Sequence, residues 1–149
     1  MRGYFYGNFY LSSVQQGIQA LHCLGEMHNT YDPTINERVV YLAPEYVMLR
    51  EWERNHKTVI LCSGGNCNDL MYIQENLAPS AKGRYPCATF YEDSISLNSA
   101  ITCTGIILPE KIYNAMEEMR EGLFNSVTSQ LDPTDMAIAG LLYNYPLAR

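Results

Sequence analysis

Ser12-Ser13-Val14-Gln15-Gln16-Gly17-Ile18-Gln19-Ala20-Leu21-His22-Cys23-Leu24-Gly25-Glu26-Met27-His28 is the stretch whose reading decides the fold. Val14, Gly17, Ile18, Leu21, Leu24 and Gly25 recur at i, i+3, i+4 and i+7, the spacing of one helix face. That face is expected to lie against the core. Gln15, Gln19, His22 and Glu26 recur at the same spacing on an adjacent face, within a narrow sector at roughly 100° per residue. Such a polar strip is expected where a buried helix emerges into a cleft.

The flanks fix where this helix starts and stops. Residues 3–10, Gly-Tyr-Phe-Tyr-Gly-Asn-Phe-Tyr, are aromatic and β-prone and read as a first strand. Ser12 or Ser13 can cap the free helical N–H groups, with Gln15 or Gln16 completing a capping box. Asp32-Pro33 stops the helix near Tyr31.

Downstream, residues 34–43 read as a loop or short edge element. A helix from Pro44 to about His56 follows, with Pro44 at its first position. Lys57-Thr58-Val59-Ile60-Leu61-Cys62 is β-branched and apolar and reads as a buried strand. Ser63-Gly64-Gly65-Asn66 is a turn, and a helix runs from about Cys67 to Leu77. Ala78 to Pro86 reads as loop, with Pro79, Gly83 and Pro86 as breakers. Strands follow at Cys87–Tyr91 and Ile101–Leu108, joined by a connection short enough to make them antiparallel. Pro109 opens a helix to about Gly122, and Asp132 with Pro133 opens the last one.

The order β, α, α, β, α, β, β, α, α predicts an α/β fold in three layers, a mixed four-stranded sheet flanked by helices. One domain spans 1–149, with a core of about 3–112 and a C-terminal helical extension over 113–149. An apolar content of 47 % argues against disorder. No run of about 18 apolar residues is present, so no membrane span or membrane partner is expected. The N-terminus lacks a signal-peptide core, so a cytoplasmic protein is expected. Cys23, Cys62, Cys67, Cys87 and Cys103 lack a C-x-x-C pair and read as reduced, mostly buried thiols. A zinc site using Cys62, Cys67 and a histidine is poorly spaced, and neither metal nor cofactor is expected.

Charge narrows the partners. The net charge is −6, from 10 Lys+Arg against 16 Asp+Glu. Gripping many phosphates of a long nucleic acid normally takes a basic surface, so such a partner is disfavoured. A small phosphate-bearing ligand needs only a few donors. The helix start at Ser12-Ser13-Val14 offers backbone N–H groups and a positive dipole end. Gly64-Gly65-Asn66 is either a second such end or simply a turn, and it lacks P-loop spacing. Arg2, Lys57, Lys82 and Arg84 are candidate cationic helpers. Tyr4, Tyr6, Phe90 and Tyr91 either stack a base or pack in the core. His22 with Glu26 or Glu92 could act as a general acid–base pair, with Ser12, Ser13 or Ser96 as hydroxyl partners. The same side chains read equally as polar helix residues bonded to neighbours.

Several strings resemble the peptidyl-tRNA hydrolases of the archaeal and eukaryotic type. Gln19-Ala20-Leu21-His22 is similar to that family's Gln-x-x-His string. Leu49-Arg50-Glu51-Trp52-Glu53 and Lys57-Thr58-Val59-Ile60-Leu61 resemble its Leu-x-x-Trp-Glu helix end and following strand. Tyr85 to Asp93 and Ile106-Ile107-Leu108-Pro109-Glu110 occupy the places of its last two strands, so the resemblance covers about residues 3–112. The family carries lysines in the turn before its helix, where this chain has Leu11-Ser12-Ser13-Val14-Gln15-Gln16. Its Asp-Ala-Gly-x-Thr corresponds to Glu92-Asp93-Ser94-Ile95-Ser96. By position, the resemblance implies Glu92 for the acid and Ser96 for the threonine hydroxyl.

The chain also resembles small phage-encoded proteins that share the Tyr-Phe-Tyr start, the Gln-rich helix and the string Leu108 to Tyr113. The expectation that follows is a non-catalytic nucleotide-binding protein, an anti-defence sponge. Its ligand would be a small cyclic or ADP-ribose-derived immune signal. Ser12, Ser13, Gln15, Gln19, His22, Glu26, Tyr91 and Ser96 would be the ligand-binding residues. The resemblance further implies a homo-oligomer in the host cytoplasm. Two alternatives stand beside it. One is a peptidyl-tRNA hydrolase-like esterase with His22 and Glu92 as catalytic groups. The other is a protein-binding inhibitor of a host factor.

Overall fold

The computed structural model describes residues 1–95, 98–123 and 127–148. Its elements are β1 (Arg2–Gly7), α1 (Ser13–Tyr31), α2 (Pro44–Glu51), β2 (Val59–Ser63) and α3 (Cys67–Ala81), then β3 (Cys87–Tyr91), β4 (Ile101–Leu108), α4 (Glu110–Arg120) and α5 (Pro133–Leu142). A π-helical turn at Trp52–His56 continues α2, and a 3-10 turn at Thr128–Gln130 precedes α5. The order is the one the sequence predicts. The four strands form one mixed sheet in the order β2-β1-β4-β3, with β1 parallel to β2 and antiparallel to β4, and β3 antiparallel to β4.

Helices cover both faces of this sheet. On one face Phe5, Cys103 and Ile107 pack with Ala20, Cys23 and Met27 of α1 and with Leu49 and Trp52. On the other, Tyr4, Tyr6, Ile106 and Leu108 pack with Leu70, Ile73 and Leu77 of α3, Ile112 and Met116 of α4, and Ile138 and Leu142 of α5. Residues beyond 112 therefore contribute to the same core as β1. β4 is buried along its whole length, as a central strand covered on both faces should be.

The structure corrects four expectations. The face of α1 that turns inward is Gln16, Gln19, Ala20, Cys23 and Met27, not the Val14–Ile18–Leu21 face. Val14 is 73 % exposed and Leu21 69 %. The cause lies in the sheet beneath. α1 crosses β3 and β4 closely and barely reaches β2. A Cβ on Gly105 would sit 2.6 Å from the Phe5 ring and 3.0 Å from the Cys23 sulfur. Only small helix residues fit that approach, and Ala20 and Cys23 supply them.

The second correction concerns β2, which is a half-exposed edge strand and not a buried one. Among the described residues its outer side is bridged by the C-terminal tail, through Ser63 N–H to the Pro146 carbonyl (2.8 Å) and Ala148 N–H to the Leu61 carbonyl (2.9 Å). Third, α3 continues through Pro79 to Ala81, giving up the one helical bond that an N–H at residue 79 would make to the Glu75 carbonyl. Fourth, the first strand ends at Gly7, since Asn8 begins a turn in which the Tyr10 N–H bonds the Asn8 side-chain oxygen at 3.1 Å. No helix among the described residues is long and apolar enough to cross a membrane.

Candidate functional site

β1 and β2 are parallel neighbours whose following helices, α1 and α3, pack on opposite faces of the sheet. The chain therefore opens a crevice just beyond the carboxyl ends of these two strands, the place where open α/β sheets bind ligands. The two loops are stitched together there. Gly64 N–H donates to the Gly7 carbonyl (2.7 Å) and Phe9 N–H to the Gly65 carbonyl (2.9 Å). Gly65 has φ +84°, and a Cβ there would lie 2.3 Å from an Asp69 oxygen. Glycine is needed at that turn.

A cleft of about 340 Å³ lies at this crevice, lined by Phe9, Gln16, Ser63, Pro146 and Leu147. Gln16 is 4 % exposed. Its side-chain N–H donates to the Leu11 carbonyl at 3.0 Å, while its oxygen has no partner among the described residues. A buried acceptor without a donor is costly in a folded protein. Phe9 is half exposed on the rim and stacks on Tyr10 with centroids 4.1 Å apart.

The two helix starts beside the crevice differ. Ser12 caps α1, accepting from Gln15 N–H at 3.3 Å, while Gln15 returns its side-chain oxygen to Ser12 N–H at 3.0 Å. No acidic residue lies in the first turn of α1, and no partner is recorded for the Ser13 and Val14 N–H groups among the described residues. α3 is closed by its own side chains. Asn66 accepts from Asn68 and Asp69 N–H, and the Asp69 carboxylate accepts from Asn66 N–H at 2.9 Å. A carboxylate at that position excludes an anion, so of the two readings of Gly64-Gly65-Asn66 the plain turn holds.

The structure splits the residues singled out from the sequence. Ser12, Ser13 and Gln15 form the start of α1 after β1 but do not line the cleft, whereas their neighbour Gln16 does. Gln19, His22 and Glu92 gather by the end of β3 on the α1 side, while Tyr91 turns to α3 on the other face. Gln19 donates to Glu92 Oε1 at 2.7 Å and accepts from the Thr102 hydroxyl at 3.0 Å, so its amide is spent as a clip. His22 is exposed and stacks on Phe90, with centroids 4.7 Å apart and planes 18° apart. It has no hydrogen bond to Glu92 or Glu26 among the described residues. Glu26 holds Asn29 Nδ2 at 3.4 Å, and the Tyr91 hydroxyl donates to Gln74 at 3.2 Å. Ser96 lies outside the described residues.

Tyr4 and Tyr6 are buried in the core and unavailable for stacking a base. Burial, with the Cys62 thiol and Tyr4 nearby, raises the Tyr6 hydroxyl well above its ordinary value. Arg2 is engaged by Glu117 at 3.1 Å and lies over the Tyr113 ring at 4.0 Å. Arg84 pairs with Asp132 at 2.7 Å. Lys57 is exposed at the end of the π turn, away from the crevice. Asn8, Phe9 and Gln16 were not singled out as site residues by sequence reasoning. Asn8 is buried and bonds the Cys67 sulfur at 3.4 Å. The only signal for Gln16 was an amide next to the capping position.

A larger cavity of about 450 Å³ lies by the C-terminal end of α1, beneath residues 38–43. Its inner polar groups are satisfied within the protein. The Tyr31 hydroxyl donates to the Cys87 carbonyl at 2.9 Å, and Glu45 accepts from Gly83 N–H at 2.6 Å. The Tyr31 hydroxyl is pushed up to about 12, chiefly by burial. Arg38 and Lys82 also line this cavity. All five cysteines are free thiols, with Cys23, Cys62 and Cys103 buried. Burial pushes Cys62 up to about 11. Among the described residues no three His, Cys, Asp or Glu side chains converge to hold a metal.

No family model matches this chain, and no curated protein matches it.

Proposed function

We propose that this protein binds a small nucleotide at the β1/β2 crevice and holds it without chemical change. The observation that carries the reading is Gln16, a residue of the cleft lining whose buried side-chain oxygen, set against Gly7, has no partner among the described residues. It asks for a donor such as an exocyclic amino group or a ribose hydroxyl. Half-exposed Phe9 offers a face on which a base can stack. The first turn of α1, free of acidic side chains, offers N–H groups and a positive dipole end to a phosphate without any lysine. A −6 protein fits a ligand of this size better than a long nucleic acid. His22 and Glu92 contribute no acid–base pair in this arrangement, which favours retention over turnover.

The resemblance to phage-encoded proteins extends the proposal to a role, the sequestration of a cyclic or ADP-ribose-derived signal on a peptidyl-tRNA-hydrolase-like fold. A retention experiment tests it. The purified protein is mixed with ATP, NAD, ADP-ribose and cyclic dinucleotides, filtered, and then heated to release what it holds. One of these nucleotides should leave the filtrate and return unchanged on heating. Gln16→Ala should weaken retention about fivefold to tenfold, the loss of one hydrogen bond worth about 1 kcal/mol. No retention of any of them defeats the proposal. Return of a cleaved product establishes a hydrolase in its place.

A further inference from the structure

We infer that the outer face of α1, together with the uncovered face of β2, is the surface on which a second copy of this chain docks. Val14, Ile18 and Leu21 lie at i, i+4 and i+7 along α1 and are all exposed. Leu21 lines a small apolar groove with Gly17, Leu24, Val59 and Leu61, between α1 and the edge strand. The groove exists because α1 lies over β3 and β4 and leaves β2 bare. Phe9 and Leu147 extend the patch toward the crevice. The exposed parts of Phe9, Val14, Ile18, Leu21, Val59 and Leu147 sum to on the order of 600 Å². That reaches the upper end of what a monomer ordinarily leaves in one apolar patch, and it approaches the roughly 800 Å² that each partner of a standard interface buries.

Charge selects the occupant. In a two-fold interface the same patch meets itself, so any net charge on it faces its own sign. The chain carries −6, yet residues 3–25 contain no Asp, Glu, Lys or Arg. All of β1 after Arg2 and the first thirteen residues of α1 fall in that run. An acidic protein repels its own copy wherever like charges meet, and α1 brings no Asp, Glu, Lys or Arg to this face from Ser13 to Gly25. A Cβ added at Gly17 or Gly25 meets nothing within 4 Å, so bare helix backbone is open to close approach. The patch borders the crevice through Phe9 and Gln16, and a second copy seated there would wall off its open side. The inference stands on exposure and charge and does not rest on what the crevice binds.

Sedimentation equilibrium of the full chain over micromolar concentrations tests it. The expected species has twice the 16.9 kDa chain mass. Leu21→Lys should weaken association at least tenfold while circular dichroism and melting stay unchanged, because Leu21 is exposed. Ile18→Glu, on the same face, should act alike and serves if the first variant folds poorly. Tyr72→Lys, exposed on α3, should leave the dimer intact. A monomer at every concentration overturns the inference, even if another protein is later found on this face. A dimer that survives both α1 substitutions overturns the assignment of the face.

Discussion

Gln19 uses both ends of its amide, one on Glu92 and one on Thr102. Three residues on, His22 lies exposed against Phe90. The pair is one string in sequence and two different roles in space. Gln19→Leu should cost about 1–3 kcal/mol, because it strips a donor from Glu92 and an acceptor from the buried Thr102 hydroxyl. His22→Ala should stay within about 0.5 kcal/mol, the range of surface substitutions. Urea midpoints of the two variants measure both. That these positions are polar and share a helix was legible from spacing. Which of two neighbouring faces turns inward was not. Periodicity reports a face, but the space above Gly105 decides that small Ala20 and Cys23 go in, while larger Leu21 and Ile18 stay out. The orphan oxygen of Gln16 is likewise a matter of distance, which spacing does not carry.

Elements were more legible than their surroundings. The capping box at Ser12 and Gln15, the Asp132-Pro133 start and the antiparallel β3–β4 pair all stand where local chemistry places them. β2 was misjudged because a β-branched run looks the same at an edge as in the middle of a sheet, and strand order depends on contacts far apart in sequence. The cap of α5 has a pH signature. Asp132 accepts from Thr134 and Asp135 N–H, both at 2.9 Å, and pairs with Arg84. The Arg84 guanidinium first, and the cap N–H groups with it, hold its carboxyl below the usual range. The folded value is the lower one, so this contribution is full above the unfolded value of about 3.9 and fades as pH falls through the folded one. Asp132→Asn keeps the cap acceptor and loses the charge. Thermal melts of it and the parent should differ at pH 7 and converge at strongly acidic pH.

At the scale of the whole molecule, buried Asp135 joins three distant pieces of chain. Its carboxylate accepts from the Tyr85 hydroxyl at 2.7 Å and pairs with Arg84 at 3.4 Å and with Lys111 of α4. Burial, and this carboxylate beside it, drive the Tyr85 hydroxyl far up. Asp135→Ala strands the Tyr85 hydroxyl and Lys111, while Arg84 keeps Asp132. The expected loss is on the order of 3 kcal/mol, the low end for breaking a buried pair because both cations are well exposed. Because α4 and α5 share the core of β1, calorimetry should show one cooperative transition at lower temperature rather than separate melting of residues 113–149. The layer architecture was legible from element order. The tie from residue 135 back to residues 84 and 85 was not, since nothing local marks a partner fifty residues away.

The two hydrogen bonds from the tail to Leu61 and Ser63 have one more consequence. Val59-Ile60-Leu61-Cys62-Ser63 is uncharged, free of proline and largely β-branched or apolar, the composition from which cross-β stacks grow. Pro146 to Ala148 act as its cover. Clipping the tail would convert a satisfied sheet margin into a template for other chains, and solubility would then hang on three residues at the margin of the sheet.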